Sequence, residues 1–200
     1  TPAAAAAERV ALLQVLGIAL FCVKTLAYPL GFSYFDEFID WRTASDILAS
    51  HHLFSANSLL PISAAYPGLE IASSALASLT GLSLFHAGLI VLLAGRVLLV
   101  GSLYGFFAAL SRSPYLAGLA VLGYMLNPHF VFFDAQFAYE SLALPMGACV
   151  LWLVALGARG APGKARVAPL GLAGLVLAAL AVTHHITSYA VVGFLALWAL

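Results

Sequence analysis

Apolar runs occur at about 10–30, 85–110, 115–133, 141–158 and 169–183, and a further one starts near 189 and stops at Leu200. A helix needs roughly 17–25 such residues to cross a bilayer, because every backbone N–H and C=O in hydrocarbon must be paired within the segment. Runs of this number and length predict an all-α, polytopic transmembrane helix bundle. Composition closes the alternatives. Only 8% of the 200 residues are charged and 64% are hydrophobic, whereas soluble domains carry about 25% charged residues. Net charge is zero and there is no basic patch, which excludes a nucleic-acid partner. The run at 189–200 is shorter than a span and residue 1 is Thr, so the chain reads as a single transmembrane domain (1–200) from a longer protein. The stretch after Glu8 and Arg9 is too long for a signal-peptide core and reads as a retained first span. Cys22 and Cys149 lie inside apolar runs, where a thiol behaves as a small hydrophobe.

One segment is ambiguous, the sixteen residues 64–79, which include Glu70, Ser73, Ser74 and Ser78. Basic residues favour the cytoplasmic side of a membrane. If 64–79 does not cross and the N-terminus is inside, the loops 111–114 and 159–168 are cytoplasmic. They carry Arg112, Arg159, Lys164 and Arg166, and Arg9 joins them. If 64–79 does cross, the basic loop 159–168 moves outside. The first topology is therefore expected, with a long outer loop at 31–84. It sends seven of the eight acids (Asp36, Glu37, Asp40, Asp46, Glu70, Asp134 and Glu140) and all six histidines to the outer face. Acidic residues contribute little to the insertion rule, so their clustering is independent of it. Chemistry, if present, is expected on the extracytoplasmic side of a cell-membrane protein.

The outer loop opens Gly31-Phe-Ser-Tyr-Phe-Asp36-Glu37-Phe-Ile-Asp40-Trp41-Arg42. Aromatics interleaved with charges predict a helix lying along the membrane surface, with rings in the headgroup zone and charges toward water. Arg42 and Asp46 are spaced to pair on one face. Run 64–79 would be a second juxtamembrane helix. Asp36 and Glu37 read either as solvated carboxylates or as groups placed to face a lipid headgroup immediately after a span.

This layout resembles the start of a GT-C-type glycosyltransferase, the polytopic superfamily that uses polyprenyl-phosphate sugars as donors. Asp36-Glu37 match its first acidic motif, and 33–53 and 64–79 match its two loop helices. Asp134 and Glu140, in Phe132-Phe-Asp134-Ala-Gln-Phe-Ala-Tyr-Glu140, match its second outer acidic loop. The first loop has no Asp-x-Asp, so the Asp-Glu form is closer to the mannosyl- and aminoarabinosyl-transferase-like members than to the metal-dependent branch. The resemblance implies a metal-independent transferase with no cofactor. It also implies a polyprenyl-phosphate-linked sugar as donor and an envelope glycan, lipid or protein as acceptor. Asp36 would be the catalytic base and Glu37 its partner. The chemistry fits on its own terms: a phosphate leaving group is already a good anion, so the reaction needs one base and groups that hold the phosphate. Glycoside hydrolysis, with its poor alkoxide leaving group, usually needs a second carboxyl as acid.

Other residues read two ways. Asp134 and Glu140 either cap helix ends at the water boundary or contact the acceptor. Asn127-Pro128-His129 should break the helix before Asp134, freeing backbone carbonyls that His129 could satisfy. Arg96 lies mid-span, where a charge costs about 2.5–3.5 kcal/mol on insertion scales. It either contacts phosphate or pairs with an acid such as Glu70. Lys24 is expected to snorkel. The pattern Ser50-His-His-Leu-Phe-Ser55 is echoed by Thr183-His-His-Ile-Thr-Ser188, and His184 and His185, with Arg42, are the further candidate phosphate contacts. The rival class is a transporter or lipid-handling protein with Arg96, Glu70 and Asp134 along its path.

Overall fold

The computed structural model describes residues 2–161 and 163–199. It is an all-α bundle. The helices are α1 (Pro2–Ala27), α2 (Phe35–Ser50), α3 (Gly68–Thr80), α4 (Leu84–Ser111), α5 (Pro114–Met125), α6 (Pro128–Val131), α7 (Tyr139–Arg159), α8 (Lys164–Ala181) and α9 (His185–Trp198). Single 3₁₀ turns stand at Ser63–Ala65 and Phe133–Ala135. Among the described residues, four helices are long and apolar enough to cross a membrane, Ala5–Ala27, Leu84–Ser111, Tyr139–Arg159 and Lys164–Ala181, or five if the bent pair Pro114–Met125 and Pro128–Ala135 is one span. The protein is thus a multi-pass membrane protein by helix length and composition.

Alternation of helix direction gives the bundle two ends. Arg112, Arg159, Lys164 and Arg166 lie in or beside the α4–α5 and α7–α8 connections, which form a basic end. At the other, acidic end α1 finishes and α4, α7 and α9 begin, with α2 and α3 between them. The two expected loop helices are present as α2 and α3, slightly trimmed. At 13 residues α3 is about 20 Å long, too short for the hydrocarbon core.

Two spans differ from expectation in their bounds, and a third, the run 115–133, is divided at the break expected at Asn127-Pro128: α5 ends at Met125 and the segment Pro128–Ala135 turns away by 81°. Pro128 cannot continue the α5 ladder, and the residue before a proline is pushed out of the helical region. Asn127 then caps the new turn, its side chain accepting from His129 N–H at 3.0 Å. The helix expected at 169–183, and expected to run on into the polar cluster after it, instead ends at Ala181 and starts earlier, at Lys164, since the long basic side chains of its first turn can reach water from an apolar helix. The last run, placed at 189–200, begins at His185.

α4 is the central helix. It packs along α7 with small residues at the contact, as bundles in lipid do. A Cβ at Gly105 would fall 2.4 Å from the Trp152 indole, so a larger residue there would displace that ring. Arg96 lies on α4 and is 2% exposed. Its Nη1 donates to the Phe130 carbonyl at 2.5 Å, and its guanidinium lies 3.8 Å from the Phe130 ring centroid. Arg96 therefore answers a carbonyl of the broken helix, a task the sequence suggested for His129, and it makes no ion pair with Glu70.

Two corrections concern α2. Its aromatics Phe35, Phe38 and Trp41 do face outward, but Glu37 and Asp40 point into the protein, at 0% and 2% exposure. Lys24 does not snorkel: it is buried at the end of α1 and forms an ion pair with Glu37. The Glu37 carboxylate also accepts from Ser33 N–H at 2.9 Å, Tyr34 N–H at 3.1 Å and Phe137 N–H at 2.9 Å. Four donors thus meet on one buried side chain. Replacing one partner of such a pair strands the other charge, at a cost of about 3–5 kcal/mol. Glu37→Gln and Lys24→Met should each lower the thermal unfolding midpoint sharply in lipid nanodiscs, and the double substitution should recover part of the loss. Additive losses in the double variant would refute the coupling.

Candidate functional site

Asp36 and Asp40 stand one helical turn apart on α2, so both side chains serve the same face. Opposite them are Tyr139 and Glu140 at the start of α7. Asp36, Ile39, Asp40, Leu60, Tyr139 and Glu140 line a cavity of about 80 Å³, room for a few waters. Asp36 is exposed at its rim, while Asp40 is buried and accepts from Tyr139 N–H through Oδ2 at 3.1 Å. Glu37 fixes the register: held by Lys24 and Phe137, it clamps the first turn of α2 against the segment that leads into α7.

Behind Asp40 lies Glu70 of α3, fully buried, with neither carboxylate oxygen partnered by an N–H or hydroxyl. Burial pushes the Asp40 carboxyl up to about 7, despite the Tyr139 N–H that favours its ionised form. Burial, with Asp40 beside it, also holds Glu70 well above the usual carboxylate range. Asn57 secures the loop around α2 by donating to Thr43 Oγ1 at 2.9 Å and to the Ile39 carbonyl at 3.3 Å.

The histidine pair flanks the cavity. His184 Nε2 is 3.8 Å from Glu140 Oε1, and its Nδ1 is 2.7 Å from Thr187 Oγ1. Burial, with His185 adjacent, lowers the His184 pKa to about 4, so the ring is neutral at physiological pH. Thr187 is the hydrogen-bond partner at Nδ1, while Nε2 is buried without one. His185 stacks on Tyr66 at 4.7 Å, joining the α8–α9 corner to the outer loop. Gly68 completes this joint. Its N–H donates to the Val182 carbonyl at 3.1 Å, and a Cβ there would sit 2.8 Å from the Thr183 Cα.

The structure therefore brings Asp36 and Glu140 to one cavity, with Glu37 anchored beneath, His184 beside Glu140 and His185 adjoining. It leaves three candidates elsewhere. Arg42 is exposed on α2, 3.9 Å from Asp46. Arg96 and Asp134 belong to the α5–α6 break, where the Tyr124 hydroxyl donates to Asp134 at 3.4 Å. Two residues of the cavity region lie outside the sequence-derived set, Asp40 and Tyr139, and Glu70 entered it only as a partner of Arg96 or a residue of the transporter path. The Asp36–Asp40 spacing was the available signal for the first. Nothing local places Tyr139 or Glu70 beside α2, which they meet only through the packing of α7 and α3.

An apolar cleft of about 370 Å³ runs into the bundle between α4, α7 and α9, lined among others by Leu99, Phe106, Leu151, Val191 and Phe194. Thr187, the partner of His184, is among its lining residues. Among the described residues no three His, Cys, Asp or Glu side chains are grouped to hold a metal ion.

Gly68→Ala should force the Thr183–His185 corner away from α3, because the atom it meets first beyond the Thr183 hydroxyl is backbone. The expected result is a lower unfolding midpoint and faster proteolysis at the α8–α9 corner; an unchanged midpoint would show that the corner gives way freely. Compared with known proteins, the chain matches no family model, no curated protein and no solved structure.

Proposed function

We propose that the chain is the N-terminal part of a GT-C-like integral membrane glycosyltransferase. In this reading it moves a sugar from a polyprenyl-phosphate donor to an envelope glycan, lipid or protein acceptor at the extracytoplasmic face of the cell membrane. The observation that carries the reading is the exposed Asp36 carboxylate, held at the rim of a cavity at the acidic end by its buried neighbour Glu37. A base must be reachable by the acceptor yet fixed in direction, and this pair separates the two tasks.

The step balances with one base. Asp36 takes the proton of the acceptor hydroxyl as the acceptor oxygen bonds to the anomeric carbon. The carbon–oxygen bond to phosphate breaks, and the polyprenyl phosphate leaves with the electron pair. Glu37 acts by positioning rather than by contact. His184, whose Nε2 has no hydrogen-bond partner, and the adjacent His185 are suited to hydrogen-bond a phosphate, and the apolar cleft that Thr187 helps to line suits a lipid chain. Arg42, on the outward face of α2, is placed for headgroup phosphates. Orientation follows the charge asymmetry: the basic end is cytoplasmic and the acidic end extracytoplasmic.

A second reading, a transporter or lipid-handling protein, draws on Arg96, whose Nη2 is buried without a partner. The two readings part at one substitution. Asp36→Asn, assayed in native membranes with a polyprenyl-phosphate sugar, should lower transfer by about 10²–10⁴-fold while leaving the unfolding midpoint near wild type. Retained transfer in Asp36→Asn overturns the base assignment. Loss of substrate binding in Arg96→Gln, with no transfer activity in the wild type, establishes the transporter.

A further inference from the structure

α2 and α3 pack with two carboxyl groups face to face. Asp40 and Glu70, 2% and 0% exposed, are neighbours across this helix pair, which Ser74 also ties by donating to the Ala44 carbonyl at 3.1 Å. Oδ2 of Asp40 is satisfied by Tyr139 N–H, but its Oδ1 and both oxygens of Glu70 receive no N–H or hydroxyl from the rest of the protein. Two ionised carboxylates so placed would repel in a medium of low dielectric with nothing to offset them.

The surrounding charges do not help. Asp36 faces the pair from α2 and Glu140 from α7, both acidic, together with the Tyr139 hydroxyl. On α1, Lys24 is engaged by Glu37, and the neutral His184 ring lies against Glu140. Among the described residues, no basic side chain makes an ion pair with Asp40 or Glu70. One proton resolves the conflict. On Glu70 it turns an orphaned acceptor into an O–H donor, and the partnerless Oδ1 of Asp40 becomes its acceptor. Buried carboxyls of like charge take up a proton in this way instead of standing ionised together.

We propose that Asp40 and Glu70 form a proton-sharing pair, a proton-binding site that opens on solvent through the cavity lined by Asp36 and Glu140. With one proton the pair carries a single negative charge; with two it is neutral. Asp40, which lines the cavity, exchanges with solvent, and Glu70 beneath it keeps its proton. The site goes beyond the transferase reading and stands whether or not sugar transfer is found. It also couples α2–α3 packing to pH. Asp40 holds its proton more tightly in the folded chain than in the unfolded one. Its stabilising share is therefore complete below the ordinary aspartate range and is lost as the pH rises to about 7.

Infrared titration of the wild-type protein in lipid tests this, with aspartate and glutamate isotope-labelled in separate samples. A protonated-carboxyl band should persist at neutral pH. Its glutamate component should outlast an aspartate component that disappears as the pH passes about 7. Asp40→Asn should remove that aspartate component and flatten the fall of the unfolding midpoint with rising pH. Glu70→Gln should remove the glutamate component. Absence of any glutamate component at neutral pH in the wild type overturns the proposal, and that measurement needs no variant to fold. A band indifferent to both substitutions overturns it equally.

Discussion

The Glu37 carboxylate is the point on which the acidic end of the bundle depends. It is buried, it carries a charge, and each of its oxygens is occupied: Lys24 and Phe137 N–H on one, Ser33 and Tyr34 N–H on the other. A lone carboxylate in such a place would cost several kcal/mol. The four donors come from the end of α1, from the turn into α2 and from the segment before α7, so the charge can be solvated by protein only when all three are assembled. Removing water from Glu37 and docking α2 are one event.

Docking of α2 decides the rest. Asp40, one turn beyond Asp36, is carried onto Tyr139 N–H, while Asp36 is turned to the rim of the cavity. The same surface receives α3, whose Ser74 hydroxyl donates to the Ala44 carbonyl at 3.1 Å. At its other end α3 meets the α8–α9 corner through Gly68 and Thr183, which sets His184 against Glu140. The basic end is simpler, with short connections and basic residues that can reach water. The asymmetry of construction matches the asymmetry of charge, and it is the constructed end that holds the candidate chemistry.

Much of the fold was legible because its signals are local. Run length marks the spans, since bilayer thickness sets the number of residues required. The short α3 and the break at Asn127-Pro128 follow from composition and from proline's missing N–H. The inward turn of α2 was less legible. An interleaved aromatic and acidic segment satisfies an interfacial helix in either rotation, and hydropathy favours acids outward. What reverses this is the set of donors at Lys24, Phe137 and Tyr139, more than a hundred residues apart along the chain at their extremes.

The candidate site divides in the same way. The sequence by itself determined that this is a helical membrane protein with its acids and histidines gathered at one end, because hydrophobic length and charge position are properties of each segment alone. Only the tertiary structure decided which acids are buried and which exposed. It sent Arg96 to a backbone carbonyl rather than to Glu70, and it buried Asp40 and Glu70 in the α2–α3 packing. Those outcomes depend on which donors reach a desolvated charge, and donors are brought together by packing between helices, which no single segment encodes.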